Sequence, residues 1–294
     1  MCGLLLGVVS PFGTEVNGAQ AWFQLGPFQL QPSEFSKIAV IIALASLGAH
    51  FGNDLDVRRL GVLLAVPGIP LVLIMLQPDP GTAMVFVAIT MGMLVAAGVR
   101  AKHLAALTLL GLTAVVGLLS SGFLEDYQTD RLTVFLNPNA GLQAEAYNLN
   151  QSKIAIGSGG ITGKGFGEGS QSHLNYLPEP HTDFVFATMA EEWGLLGGLL
   201  VLLVFGIVLR WGLTVARRAP DRFSQLLAGG MTATIFFYVA INLLMVMGLA
   251  PVVGIPLPFM SHGGSSMMTN MICLGTLMMV DRWSRRAGRT GTLS

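Results

Sequence analysis

Polar side chains are nearly absent from eight stretches of the chain, at about 1–9, 33–49, 60–76, 81–99, 103–121, 183–209, 224–249 and 263–280. All but the first approach or exceed the ~20 residues a helix needs to cross the hydrocarbon of a bilayer. They are continuous runs rich in Leu, Ala, Gly and Met, without the period-two alternation of a transmembrane barrel strand. Inside a bilayer each backbone N–H and C=O must find a partner within the protein, so runs of this kind form helices. The pattern predicts an all-α polytopic bundle in one membrane domain over 1–294, with about seven complete spans. The first stretch is too short to span. It starts at Met1 with no basic flank and no cleavage site, so a signal peptide is a poor explanation and the tail of a helix is the expected reading.

Composition agrees with a membrane protein. Of 294 residues 52% are hydrophobic and 11% charged, against about 25% charged in an average soluble domain. The formal net charge of zero says less than the distribution of charge. Alternate loops hold Arg58 and Arg59, then Arg100 and Lys102, then Arg210, Arg217, Arg218 and Arg222, and finally Arg282, Arg285, Arg286 and Arg289. Those are twelve of the 16 basic residues, and they mark the cytoplasmic side. The C-terminus is then cytoplasmic and the longest loop, 122–182, extracytoplasmic. A loop of that length is usually functional or disordered. This one carries Tyr127, Phe135, Tyr147, Ile154, Ile156, Phe166 and Tyr176, a density of hydrophobic anchors that predicts packing against the bundle. Cys2 and Cys273 both lie in apolar segments and read as small buried hydrophobes.

Several polar clusters interrupt the apolar pattern. Gly157–Gly169 is glycine-rich, but Ser158 and Gly165 stand where a nucleotide-binding P-loop needs Gly and Ser or Thr. The alternative is a tight loop that needs positive φ or close backbone approach, with Lys164 available to an anionic substrate. Leu177-Pro-Glu-Pro-His-Thr-Asp-Phe184 runs into the sixth apolar segment. There Thr182 is a candidate helix cap and Asp183 a first-turn acid, or else a functional carboxylate at a helix mouth. Glu191 and Glu192 follow two turns deeper, with at least one expected to face the interior. Glu34 and Lys37 are i,i+3 neighbours that can pair on one helix face. Gln77-Pro-Asp-Pro-Gly-Thr82 reads as a tight turn carrying Asp79. Pro251–Pro258 excludes a helix, and Gly263-Gly264-Ser265-Ser266 opens the last one with N–H groups able to bind an anion.

In this order and spacing these stretches resemble the SEDS family of peptidoglycan polymerases (RodA, FtsW, SpoVE). The resemblance rests on Gly18-Ala-Gln-Ala-Trp22, Gln31-Pro-Ser-Glu34, Gln77-Pro-Asp79, Gln151–Gly160, Gly163-Lys-Gly165, Leu177-Pro-Glu179, His181-Thr-Asp-Phe184, Glu191-Glu192, Pro251–Pro258 and Gly263-Gly-Ser265. It runs collinearly from about 10 to 282, and Gly163-Lys-Gly165 leans towards RodA, while Gly-Gly-Ser-Ser is also FtsW-like. It implies a ten-helix fold of which the first two helices and most of the third are missing here. The family often has basic residues at the positions of Ala21 and Pro180, and usually Tyr at that of His262, which weakens contacts to an anionic lipid.

The resemblance further implies a bacterial cytoplasmic-membrane enzyme that polymerises lipid II on the outer side, with inversion at the sugar. Asp183 is the expected base. Lys37, Lys164 and the Gly263-Gly264 helix start are candidates for the diphosphate, while Glu34, Asp79, His181 and Ser265 are expected to line the substrate site. No organic cofactor is expected, and a divalent cation, Mg or Mn, is the candidate metal. The implied protein partner is a class B penicillin-binding protein, and nucleic acid is not an expected partner. Rival readings are a division polymerase of the FtsW type, a lipid II flippase and a non-catalytic scaffold for a transpeptidase.

Overall fold

Helices occupy the apolar segments from residue 33 onward and extend into the loop between the fifth and sixth. They are α1 (Pro32–Phe51), α2 (Val57–Met75), α3 (Pro80–Ala96), α4 (Ala101–Ser121), α5 (Ala144–Ser158), α6 (Ser170–His173), α7 (Val185–Arg218), α8 (Arg222–Val246) and α9 (Gly264–Thr290). The computed structural model describes residues 3, 5, 7, 13–16, 19–25, 28–52, 56–77, 79–121, 144–173 and 181–290. Most of the leading segment 1–9 therefore lies outside the described residues, as do Tyr127, Phe135 and Tyr176. Among those described, α1, α2, α7 and α8 are long and apolar enough to cross a membrane. Pro80–Ala96 and Ala101–Gly117 are apolar but shorter.

Two helices outlast their apolar runs. α7 continues to Arg218 and α9 to Thr290, because a helix needs apolar side chains only where lipid surrounds it. Beyond that depth Arg285 pairs with Asp281 one turn back, at 2.8 Å. A three-stranded antiparallel sheet that hydropathy does not predict precedes α1: β1 (Thr14–Val16), β2 (Ala19–Leu25) and β3 (Phe28–Leu30). Its sequence signal is the Asn17-Gly18 dipeptide between β1 and β2, the strongest short-range mark of a hairpin.

The chain divides into two compact units. One comprises Met1–Arg100, Ile207–Phe237 and Gly263–Ser294. Small residues set its helix contacts, as expected where lipid removes the hydrophobic drive for helix association. Gly230 lies against Ile41 and Met93, Gly48 against Leu226, and Gly92 against Ala233. The other unit comprises Ala101–Gly206 and Tyr238–His262. Here α5 packs, and of the large anchors among the described residues Ile156 alone is part-buried. Tyr147, Ile154 and Phe166 are exposed, whereas Leu149, Ser152, Ala155 and Gly159 form the buried face. Close approach of a helix to another backbone needs small side chains. Ser152 Oγ donates to the Val246 carbonyl at 2.8 Å, satisfying a carbonyl that the end of α8 leaves open.

α7 is broken at Gly194 (φ 65°, ψ −162°). An unbroken helix would bond the Leu195 and Leu196 amides to the Glu191 and Glu192 carbonyls. The glycine-rich loop takes over both sides of that gap. Leu195 N donates to the Gly160 carbonyl (2.9 Å) and Leu196 N to that of Ile161 (3.2 Å). In return the Glu191 and Glu192 carbonyls accept from Lys164 N (3.1 Å) and Gly165 N (3.0 Å). Non-helical backbone in a membrane bundle is tolerated when protein supplies its partners. A side chain on Gly163 would overlap the Glu192 carbonyl, and Gly163 itself has φ 82°. The glycines are thus a close-approach loop, as the failed P-loop spacing implied.

Candidate functional site

The expected site residues fall into two groups, one in each unit. In the second unit Asp183 lies in a turn, His181–Phe184, just ahead of α7. The helix opens at Val185, and the Phe184 carbonyl accepts the first amides, Ala187 N at 2.9 Å and Thr188 N at 3.2 Å. Asp183 therefore precedes the cap residue instead of standing in the first turn, and Thr182 is not at the cap position. Hydropathy could not place this start, because Phe184 is as apolar as the helix that follows.

The turn is fastened to the segment 242–262 through three successive carbonyls. His262 N donates to the His181 carbonyl (2.8 Å), Ser261 Oγ to that of Thr182 (2.6 Å) and Asn242 Nδ2 to that of Asp183 (2.9 Å). Asn242 Nδ2 also donates to the Ile255 carbonyl at 2.7 Å. The Asp183 carboxylate is half-buried and faces this loop: a methyl group on Gly254 would stand 3.4 Å from Oδ2. His181 is exposed.

Lys164 is drawn to Glu191. Its ammonium lies 2.8 Å from Glu191 Oε1, with the lysine side chain 30% exposed and the glutamate fully buried. The same oxygen accepts from Gln171 N (3.0 Å) and Ser170 Oγ (3.2 Å). Glu191 is thus the inward-facing acid of the Glu191-Glu192 pair, and it anchors the segment 164–171 onto α7.

In the first unit Lys37 Nζ and Glu34 Oε1 are 2.5 Å apart, and both side chains are buried. Breaking such a pair leaves a charge uncompensated in a low-dielectric interior, at a cost of about 3–5 kcal/mol. Lys37→Met is accordingly expected to lower the melting temperature in detergent sharply. The double replacement Lys37→Met with Glu34→Leu is expected to recover most of the loss.

Asp79 is the N-cap of α3, which has Pro80 at its first position. Its carboxylate accepts from Thr82 N (2.9 Å) and Thr82 Oγ1 (2.6 Å), and from Gln31 Nε2 at 3.3 Å. The Asp-Pro-Gly-Thr spelling carried this capping signal, although it reads equally as a turn. Asp79→Ala is expected to cost about 1 kcal/mol through the lost cap, measurable as a modest drop in melting temperature. Ser265 Oγ accepts from Gln31 N and donates to the Gln29 carbonyl, each at 3.0 Å. Gln31 therefore brings Asp79 and Ser265 onto one residue, while Gly263 and Gly264 lie at the start of α9.

The chain matches a known family along nearly its whole length. The model of the cell cycle protein family of FtsW, RodA and SpoVE aligns with residues 1–286. The chain belongs to this family. Peptidoglycan glycosyltransferase MrdB of Escherichia coli is 38% identical over 280 residues, covering 95% of this chain and 75% of the relative. A probable peptidoglycan glycosyltransferase FtsW of Dichelobacter nodosus is 40% identical over 292 residues, 98% and 72% of the two chains. In a solved peptidoglycan synthase complex described as coordinating polymerization and crosslinking, one chain superposes with a TM-score of 0.81 at 30% identity, covering 96% of this chain and 79% of that one. The FtsW/RodA/SpoVE fold is thus present as a multi-span all-α membrane protein.

Proposed function

We propose that this chain is a peptidoglycan glycosyltransferase that polymerises lipid II, with Asp183 as general base. The observation that carries the reading is a half-buried carboxylate held at the mouth of a membrane helix in a chain of this family. The relatives are named for the same activity. The C4 hydroxyl of the acceptor GlcNAc attacks C1 of the donor MurNAc, and undecaprenyl diphosphate departs with inversion. An alcohol is a poor nucleophile at neutral pH, so a carboxylate within hydrogen-bond reach takes its proton as the new bond forms.

The departing diphosphate gathers negative charge and needs positive partners. Lys164 is the more accessible of the two candidate lysines, and the amides of Gly263 and Gly264 open a long helix. Glu34, Lys37, Asp79 and Ser265 order polar surface, and exposed His181 is available to substrate. Among the described residues no three His, Cys, Asp or Glu side chains converge. A divalent cation of the Mg type needs only one or two carboxylates when phosphate and water oxygens complete its shell. Such a cation would neutralise the diphosphate, leaving the Asp183 carboxylate free to take the proton.

The twelve basic residues of alternate loops support a cytoplasmic C-terminus and an outward-facing Asp183. Gly163-Lys-Gly165 favours elongation of the RodA type over division, and rescue of rod shape in a strain depleted of its elongation polymerase tests that choice. A class B penicillin-binding protein is the proposed partner, in line with the synthase complex above. The deciding experiment incubates the purified chain with lipid II and resolves products on a gel. Glycan ladders support the polymerase. Movement of labelled lipid II across vesicles without ladders identifies a flippase, and neither product identifies a scaffold.

A further inference from the structure

Asp183 lies ahead of the cap of α7, in a turn outside the helix. Its carboxylate can be no better placed than the main chain that bears it. Three bonds to the turn come from residues 242–262. Ser261 and His262 belong to the irregular segment after α8, and both bond to residues preceding Asp183. Asn242 is different. It lies within α8, is completely buried, and places one amide nitrogen on both the Asp183 and the Ile255 carbonyls. A single donor therefore holds both the turn carrying the carboxylate and the irregular segment that the carboxylate faces at Gly254.

The cost of this arrangement is visible on the other side of the amide. Asn242 Oδ1 is buried with no hydrogen-bond partner among the described residues. Reversing the amide would set that oxygen against two carbonyl oxygens, so the orientation is the one with two donated bonds. Buried polar atoms are almost always satisfied, and retaining an orphaned acceptor implies that the two donated bonds matter.

We propose that Asn242 is a positioning residue for Asp183, tying the base to α8 and setting its distance from the Gly254–Ile255 backbone. The proposal rests on Asp183 being the base. It predicts an effect on turnover more than on substrate binding, because Asn242 is sealed from substrate and acts only through the carboxylate.

The test compares Asn242→Ala, Asn242→Ser and Ser261→Ala with the parent in two measurements, made on folded protein of known melting temperature. The first is kcat and KM for lipid II. The second is the rate at which a water-soluble carbodiimide modifies Asp183, read by peptide mass spectrometry, which needs no enzymatic activity. Asn242→Ala is expected to lower kcat about 10- to 100-fold, the scale of a misplacement near 1 Å, with KM unchanged and the modification rate of Asp183 altered. Asn242→Ser, retaining one donor, is expected to fall between Asn242→Ala and the parent, and Ser261→Ala to have the smaller effect. Parent values of both kcat and modification rate in folded Asn242→Ala overturn the proposal. So does loss of the fold in all three variants, because the bonds would then hold the bundle and not the base. A parent rate in Asp183→Asn would instead remove the base assignment. An inactive Asp183→Asn beside an unaffected Asn242→Ala removes only the positioning.

Discussion

Asp183→Asn is expected to lower lipid II polymerisation by about 10²- to 10⁴-fold, the range attributable to a lost general base. The substitution is nearly isosteric. The bonds that fasten this turn to Asn242, Ser261 and His262 all run to main-chain carbonyls, so the tether survives the change. The melting temperature is therefore expected to stay near the parent value while product ladders disappear, which separates a chemical loss from a structural one. Asp183→Glu retains the carboxylate but displaces it by one methylene. Because the longer side chain moves the carboxylate from its present position, it is expected to lose about 100-fold, as a group misplaced by about 1 Å does. Ladder formation by Asp183→Asn at the parent rate would remove the base assignment.

Gly163→Ala is expected to abolish accumulation of folded protein. A Cβ there would overlap the Glu192 carbonyl and the Gly194 amide, and the backbone is already at φ 82°. Relieving the overlap pushes the loop away from α7 and breaks bonds that bridge the Gly194 gap. Leaving a buried backbone group unpaired costs about 1–3 kcal/mol, and the left-handed conformation adds about 1–2 kcal/mol for a residue with a side chain. With several groups affected, the total reaches a large part of the 5–15 kcal/mol that typically holds a domain together. Gly157→Ala is the control. Gly157 lies in the last turn of α5 with open space where its Cβ would be, and it is expected to fold at the parent level. The yield of monodisperse protein in detergent and its melting temperature decide between them.

Much of the candidate chemistry was legible in local spacing. The i,i+3 separation of Glu34 and Lys37 is enough to pair them on one helix, and they do pair. Glycine spacing excluded a P-loop before any contact was known. Lys164 shows where such reasoning stops. The carboxylate nearest to it in sequence is Glu168, four residues on, but the buried oxygen that receives it belongs to Glu191, 27 residues away. Of the aromatic anchors of the long segment, the described ones, Tyr147 and Phe166, are exposed for a related reason. Size indicates how much apolar area is available to bury, but it was the small face of α5 that met another backbone.

By itself the sequence determined the membrane class, the places of the helices and the acidic residues at their ends, because these depend on transfer of each segment into lipid and on neighbours within one or two turns. The tertiary structure alone decided three things. A loop completes the broken hydrogen bonds of α7, Gln31 joins the Asp79 carboxylate that caps α3, and a buried amide in α8 holds the turn that carries Asp183. In each case a main-chain or carboxylate group that local structure leaves open, or only partly satisfied, is met by a donor distant in the chain, and hydropathy carries no record of which donor that is.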